Sequence, residues 1–175
     1  LVAIFTVIPV IFIGAYNTSN LFHKRVDLAI YETINCSNWN YTSVCLRINY
    51  AKNSWQVIKE NPVIGIGTGD FPKEYSKINQ INSPELPNTT NPHNMYNLIL
   101  VQLGFIDLFS FLSIFYYQIK HSFASNERFL RDVGITLPLL FLVIMFSESY
   151  LLGHYTTLLY IFFSSFLYKD FEKSK

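Results

Sequence analysis

The stretch MYNLILVQLGFIDLFSFLSIFYY, residues 95–117, decides the fold class. It carries one charge, Asp107, and is long enough to cross a bilayer core, which takes roughly 20 apolar residues. It closes on Phe115, Tyr116 and Tyr117, with Lys120 and His121 just beyond, an aromatic belt with basic residues outside it. Directly before it stands the polar turn Asn91-Pro92-His93-Asn94. A titratable imidazole therefore sits where one solvent gives way to another.

Working outward, apolar residues also concentrate in 1–15, 133–147 and 151–168. Half of the 175 residues are hydrophobic and only 14% are charged, against roughly 25% in an ordinary soluble domain. The expected class is an all-α integral membrane protein with four transmembrane helices and a large, partly helical periplasmic loop. The chain opens on Leu1 inside an apolar run, so the first helix reads as truncated. A net charge of +1 gives no reason to expect a nucleic-acid partner. The spans fall at 1–15, 94–118 and, as a helical pair, 133–168. Lys120, Arg128 and Arg131 make 119–132 a basic cytoplasmic loop, and Lys169, Lys173 and Lys175 do the same for the tail, 169–175. Helix parity then puts 16–93 and the turn 148–154 on the periplasmic side.

The loop 16–93 far exceeds the roughly 15 residues above which unstructured connections become uncommon. Val44, Ile48, Ala51, Trp55 and Ile58 recur at helical period and predict an amphipathic helix near 44–59. Arg47 stands at the edge of that face. Asn61-Pro62 ends the helix, because a residue before proline is pushed out of the α region. Residues 78–90, rich in Asn, Ser and Pro, read as loop. The only cysteines, Cys36 and Cys45, share this external segment and suit a disulfide. They lack the second ligand pair of a zinc site.

Three features could carry chemistry. Gly65, Gly67 and Gly69 alternate along Asn61–Phe71, a spacing that matches neither nucleotide-binding loop but lets successive N–H groups approach an anion. The competing reading is a tight turn returning the chain to the membrane. Arg47 offers a permanently charged planar fork suited to phosphate. His93, ahead of a helix start that disfavours its charged form, could take a proton from a hydroxyl near neutral pH. Asp107, about 20 Å beyond His93 on a straight helix, is expected to pair inside the bundle. Glu148 and His154 should face the same side as His93.

Together these pieces resemble the C-terminal part of the O-antigen ligase and polymerase family of bacterial inner-membrane proteins. The resemblance runs from Arg47, Ala51 and Trp55 through Glu60-Asn61-Pro62-Val63-Ile64-Gly65-Ile66-Gly67-Thr68-Gly69-Asp70-Phe71 to Pro92-His93-Asn94 and Leu103-Gly104-Phe105-Ile106. Gln102 and Asp107 depart from it, standing where an acid and a small residue are expected. The resemblance implies a multi-pass, metal-independent, cofactor-free glycosyltransferase. Its donor would be an undecaprenyl-diphosphate-linked glycan. Its acceptor would be lipid A–core for a ligase, another carrier-linked glycan for a polymerase, or a protein. By the same resemblance His93 would be the general base and Arg47 would hold the donor diphosphate, with Gly65, Gly67, Gly69 and Asn94 lining the substrate site. A polysaccharide transporter or a noncatalytic scaffold is the competing class. Transporters place polar sites at the bilayer midplane and often show inverted repeats, and neither pattern is visible in this sequence.

Overall fold

Between the first apolar run and the turn at His93 the described residues form three helices where the sequence suggests one. The computed structural model describes residues 2–36 and 41–168; the expected cytoplasmic tail, 169–175, lies outside the described residues. In chain order come α1 (Val2–Thr18), α2 (Asn20–Ile34), α3 (Ser43–Glu60), α4 (Phe71–Asn82), α5 (Met95–Phe123), α6 (Arg128–Ile144) and α7 (His154–Leu167), with a short 3₁₀ turn at Tyr150–Leu152. Among the described residues there is no strand, and the fold is all-helical. The chain divides into two compact units, Leu1–Ile48 and Asn49–Lys175.

In the first unit, Ser19 starts α2 by accepting a hydrogen bond from the Phe22 N–H, as an N-cap serine does. Tyr16 stacks on His23 at 4.1 Å and donates to Asp27 at 2.7 Å, fastening the end of α1 to α2. Cys36 and Cys45 are disulfide-bonded, joining positions nine apart. On the chain-entropy model, closing a loop of that length contributes about 3 kcal/mol.

In the second unit, α4 begins with Asp70 at the N-cap and proline in its first turn, where a missing N–H costs nothing. Phe71, Tyr75 and Asn79 project from one face of α4 and are buried. Residues 78–82 are therefore helical rather than loop, a correction to the sequence reading.

The buried face of α3 differs from the apolar stripe. Within this unit it consists of Asn49, Tyr50, Asn53, Ser54, Val57 and Ile58, while Ala51 and Trp55 face outward. Of the expected stripe, only Ile58 is fully buried. The inward asparagines are satisfied. Asn53 donates to Asn79 Oδ1 at 3.2 Å, Asn82 donates to Asn53 Oδ1 at 3.1 Å, and Asn79 donates to the Leu86 carbonyl at 2.9 Å. A buried polar group with partners costs little, so α3 can turn amide side chains toward α4.

α5 is the one helix among the described residues long and apolar enough to cross a membrane. α6 has 17 residues and α7 has 14, below the roughly 20 needed to span. The connection between α5 and α6 is shorter than expected, because α5 runs on to Phe123 and α6 starts at Arg128. α5 itself is broken. Gly104 has φ 76° and ψ −171°, far from helical values. A straight helix would separate Met95 from Phe115 by about 30 Å, yet Met95 packs against the cluster formed by Phe115, Phe141, Met145 and Tyr160. The break turns the first arm, residues 95–103, back onto the bundle made by the second arm, residues 105–123, with α6 and α7.

The glycine-rich loop fills that break. Ile66 and Gly67 donate backbone hydrogen bonds to the carbonyls of Val101 and Gln102, both at 2.9 Å. Phe105 and Ile106 donate to the carbonyls of Pro62 and Val63, at 2.9 and 3.4 Å. The loop thus takes up helix hydrogen bonds that Gly104 interrupts, as buried backbone groups require. Approach this close needs bare backbone on both sides. A methyl at Gly104 would overlap the Val63 carbonyl and stand 2.6 Å from the Ile64 nitrogen, and one at Gly65 would overlap the Gln102 carbonyl.

Asp107 lies three residues past the break, in the first turn of the second arm. It is exposed rather than paired inside the bundle. A carboxylate there meets the positive end of a restarted helix, which accounts for its place without an internal partner.

Candidate active site

The turn before α5 is held from both ends. Asn94 is the N-cap of α5, its Oδ1 accepting from the Asn97 N–H at 3.0 Å while its Nδ2 donates to the Phe146 carbonyl at 3.0 Å. The Met95 N–H donates to the Met145 carbonyl, also at 3.0 Å. The start of α5 is therefore pinned to the segment that follows α6. Both polar ends of Asn94 are spent on the protein, so it positions the turn.

His93 has φ 51°, the only positive φ outside glycine among the described residues. Left-handed backbone at an ordinary residue is sparsely populated and persists where surrounding contacts impose it. Those contacts are present here. The His93 N–H donates to Asn91 Oδ1 at 3.0 Å, and Asn91 Oδ1 also accepts from the Ser149 hydroxyl at 2.7 Å. Thr89 braces the Asn91 backbone through its own hydroxyl.

The imidazole meets Glu148, with Nδ1 and Oε2 2.7 Å apart. The other oxygen, Oε1, accepts from Asn91 Nδ2 at 3.0 Å and from the Ser149 N–H at 2.9 Å. Tyr50 lies nearly parallel to the imidazole on another side, with ring centroids 5.9 Å apart. The tautomer follows from the inventory of donors. An ionised carboxylate only accepts, so in the neutral form of the imidazole Nδ1 carries the hydrogen and Nε2 keeps its lone pair. Among the described residues Nε2 has no partner, and the side chain is 37% exposed.

Burial pushes the Glu148 carboxyl up. The hydrogen bond from His93, the Ser149 N–H, the charge of His93 and the Asn91 amide outweigh it, and the net result lies below the ordinary carboxylate value. Burial raises Tyr50, and it takes the neighbouring Tyr75 to about 12, with Asn53 partly opposing and Tyr50 adding to the rise. Both phenols stay neutral. The site thus holds one ionised acid against an imidazole, with the neutral ring of Tyr50 on one side.

Sequence reasoning placed Glu148 on the same side as His93 without joining the two. Asn91, Ser149 and Tyr50 were not singled out as site residues. Asn91 stood in the quoted turn, and its distance from Ser149 in the chain hid the link. The glycines do different work from an open anion cradle. The N–H of Gly65 bonds to the Asn61 carbonyl and that of Gly67 to Gln102, while Gly69 has φ 87° and open space around its α-carbon. Arg47 is exposed on α3 in the first unit and has no ion-pair partner among the described residues. Among the described residues no group of three or more His, Cys, Asp or Glu could hold a metal ion.

Among the described residues, the one helix of membrane-crossing length thus starts beside a histidine held by a carboxylate. A family model described as O-antigen ligase matches residues 1–112, well over half of the chain, and the chain belongs to that family. The matched region contains Arg47, the glycine run, His93 and the broken first part of α5; Glu148 lies beyond it. Membership carries O-antigen ligase or polymerase-type function in lipopolysaccharide biosynthesis, with glycan or lipid-linked substrates in a membrane. No curated protein and no solved structure matches the chain.

Proposed function

We propose that the chain contributes the acceptor-activating base of a glycosyl transfer at the periplasmic face of the bacterial inner membrane. The donor is a glycan on undecaprenyl diphosphate, and the acceptor is a sugar hydroxyl of lipid A–core. His93 Nε2 takes the hydroxyl proton as that oxygen attacks the anomeric carbon. The bond from that carbon to the diphosphate breaks, and the diphosphate leaves with the electron pair. Glu148 holds the imidazole in the required tautomer and stabilises its protonated form. Arg47 supplies the fixed positive charge that a departing diphosphate needs, and Gly69 is the glycine of the run left for substrate contact. Gly65, Gly67 and Asn94 support the site from behind.

The observation that carries this reading is the 2.7 Å contact between His93 Nδ1 and Glu148, in a side chain that stays 37% exposed. The proposed topology has four membrane helices, residues 16–93 outside, and 119–132 with the tail in the cytoplasm. The test is complementation of a deletion strain with the intact protein bearing His93→Ala. Loss of glycan-capped lipopolysaccharide with the protein still inserted supports the reading, and normal capping removes His93 as the base. The species that builds up in the deletion strain separates the variants. Unligated long chains mark a ligase and single repeat units a polymerase. Lipid-linked glycan stranded on the cytoplasmic face marks a transporter.

A further inference from the structure

We infer that the tip of the Asn61–Gly67 loop is a membrane-inserted element, seated in the hydrocarbon of the outer leaflet beside the first turn of the second α5 arm. The inference concerns where the bilayer meets this unit and stands independently of the transfer chemistry.

Four observations carry it. First, the loop tip is apolar and outward-facing, with Val63 56% and Ile64 74% exposed. Second, its surface is continuous with that of the helix. The hydrogen bonds from Phe105 and Ile106 to Pro62 and Val63 set the tip against residues that are themselves exposed, and Phe109 continues the same apolar surface one turn on. Third, the tip is bracketed by polar groups. Lys59 and Glu60 precede it, Thr68 and Asp70 follow it, and all are exposed. An apolar tip with charges on both flanks is the pattern of a hairpin that dips into a membrane and returns on the same side.

The fourth observation is the state of the backbone. Hydrocarbon tolerates non-helical chain only where its polar groups find partners in the protein. The carbonyls of Pro62 and Val63 and the N–H groups of Gly65, Ile66 and Gly67 are bonded within the unit and Pro62 has no N–H, which leaves the Val63 and Ile64 N–H groups as the ones without a backbone partner among the described residues, at the level of the headgroups. The placement also fixes the length of the span. Residues 105–123 run about 28 Å at about 1.5 Å per residue, close to the roughly 30 Å of a hydrocarbon core. The outer boundary then falls at Gly104, with Asp107 one turn in, within reach of the headgroups.

The disulfide leaves no free cysteine among the described residues, so a single introduced thiol can be labelled selectively. The intact protein bearing Ile64→Cys, Thr68→Cys or Phe109→Cys would carry an environment-sensitive fluorophore and be reconstituted in phosphatidylethanolamine–phosphatidylglycerol vesicles. Quenching by lipids spin-labelled near the headgroup end of the acyl chain is then compared with quenching by aqueous iodide. The Ile64 probe should lose intensity to the lipid quencher and resist iodide, as the Phe109 probe does, while the Thr68 probe does the reverse. Iodide quenching at Ile64 without lipid quenching would overturn the inference by placing the tip in water. Shielding from both quenchers would overturn it too, by showing the tip covered by protein.

Discussion

Replacing Gly104 by alanine tests how the broken helix is held. A φ of 76° with ψ −171° is backbone open essentially to glycine alone and by itself costs an L residue about 1–3 kcal/mol. The new methyl also overlaps the Val63 carbonyl and meets the Ile64 nitrogen at 2.6 Å, and both are backbone atoms that no rotamer change can move. Relief requires the loop to withdraw, which breaks up to four hydrogen bonds: Ile66 to Val101, Gly67 to Gln102, Phe105 to Pro62 and Ile106 to Val63. At about 1 kcal/mol net for each bond, the strain and the lost bonds together come to roughly 3–7 kcal/mol. Gly65→Ala attacks the same joint from the loop side, since its methyl overlaps the Gln102 carbonyl. One opened clasp cannot be opened twice, so the double variant should cost less than the sum of the two singles, adding only the backbone strain at the second glycine, a clear departure from additivity. Gly14→Ala is the control, with nothing within 4 Å of the added methyl, and should be neutral or stabilising by up to about 1 kcal/mol. Denaturant unfolding in detergent micelles, followed by tryptophan fluorescence, reads all four. Gly104→Ala within about 1 kcal/mol of the parent, the lower limit set by strain alone, would refute the clasp, as would additive costs in the double variant.

Two further outcomes follow from the site and its support. Glu148 has a folded-state pKa below its unfolded value, so its contribution to stability is present above the unfolded pKa and is lost as pH falls through the lowered one; Glu148→Gln should remove that acid-limb dependence, measured as unfolding midpoint against pH, while a parallel pH curve would count against the pair. Asn79→Ala leaves Asn53 Nδ2 only its 3.4 Å bond to the Tyr75 hydroxyl and removes the donor to the Leu86 carbonyl, so it should cost about 1–3 kcal/mol in the same unfolding assay and loosen residues 83–91 first, seen as faster amide exchange there.

How much of the fold was legible in the sequence depends on which signal each element uses. Apolar length marked residues 95–117 and the last helical pair, because so long a run of apolar side chains is costly to expose to water and favourable to place in lipid. The break at Gly104 was not legible, since a lone glycine in an apolar run fits an unbroken membrane helix equally well. Its partner strip, with glycine at 65 and 67, became intelligible only once the two backbones were seen together. The face of α3 was misassigned because periodicity counts apolar residues, and the inward face carries Asn49, Asn53 and Ser54. The start of α4 had a signal in Asp70-Phe71-Pro72, an N-cap followed by a first-turn proline, and the asparagine-rich composition after it masked the continuation. For the site, His93 stood out by its place at a helix mouth. Glu148 did not join it in the sequence, because pairing across more than fifty residues is a property of the fold.

The claim that most needs a direct measurement is that His93 is the base and Glu148 orients it. Intact parent, His93→Ala and Glu148→Gln proteins in proteoliposomes, given lipid-linked glycan and lipid A–core, should be compared by initial transfer rate and by donor binding. The account predicts that His93→Ala loses about 10²–10⁴-fold in rate with donor binding retained. Glu148→Gln should fall between it and the parent, with an altered pH profile. Parental transfer rates in His93→Ala would contradict the account.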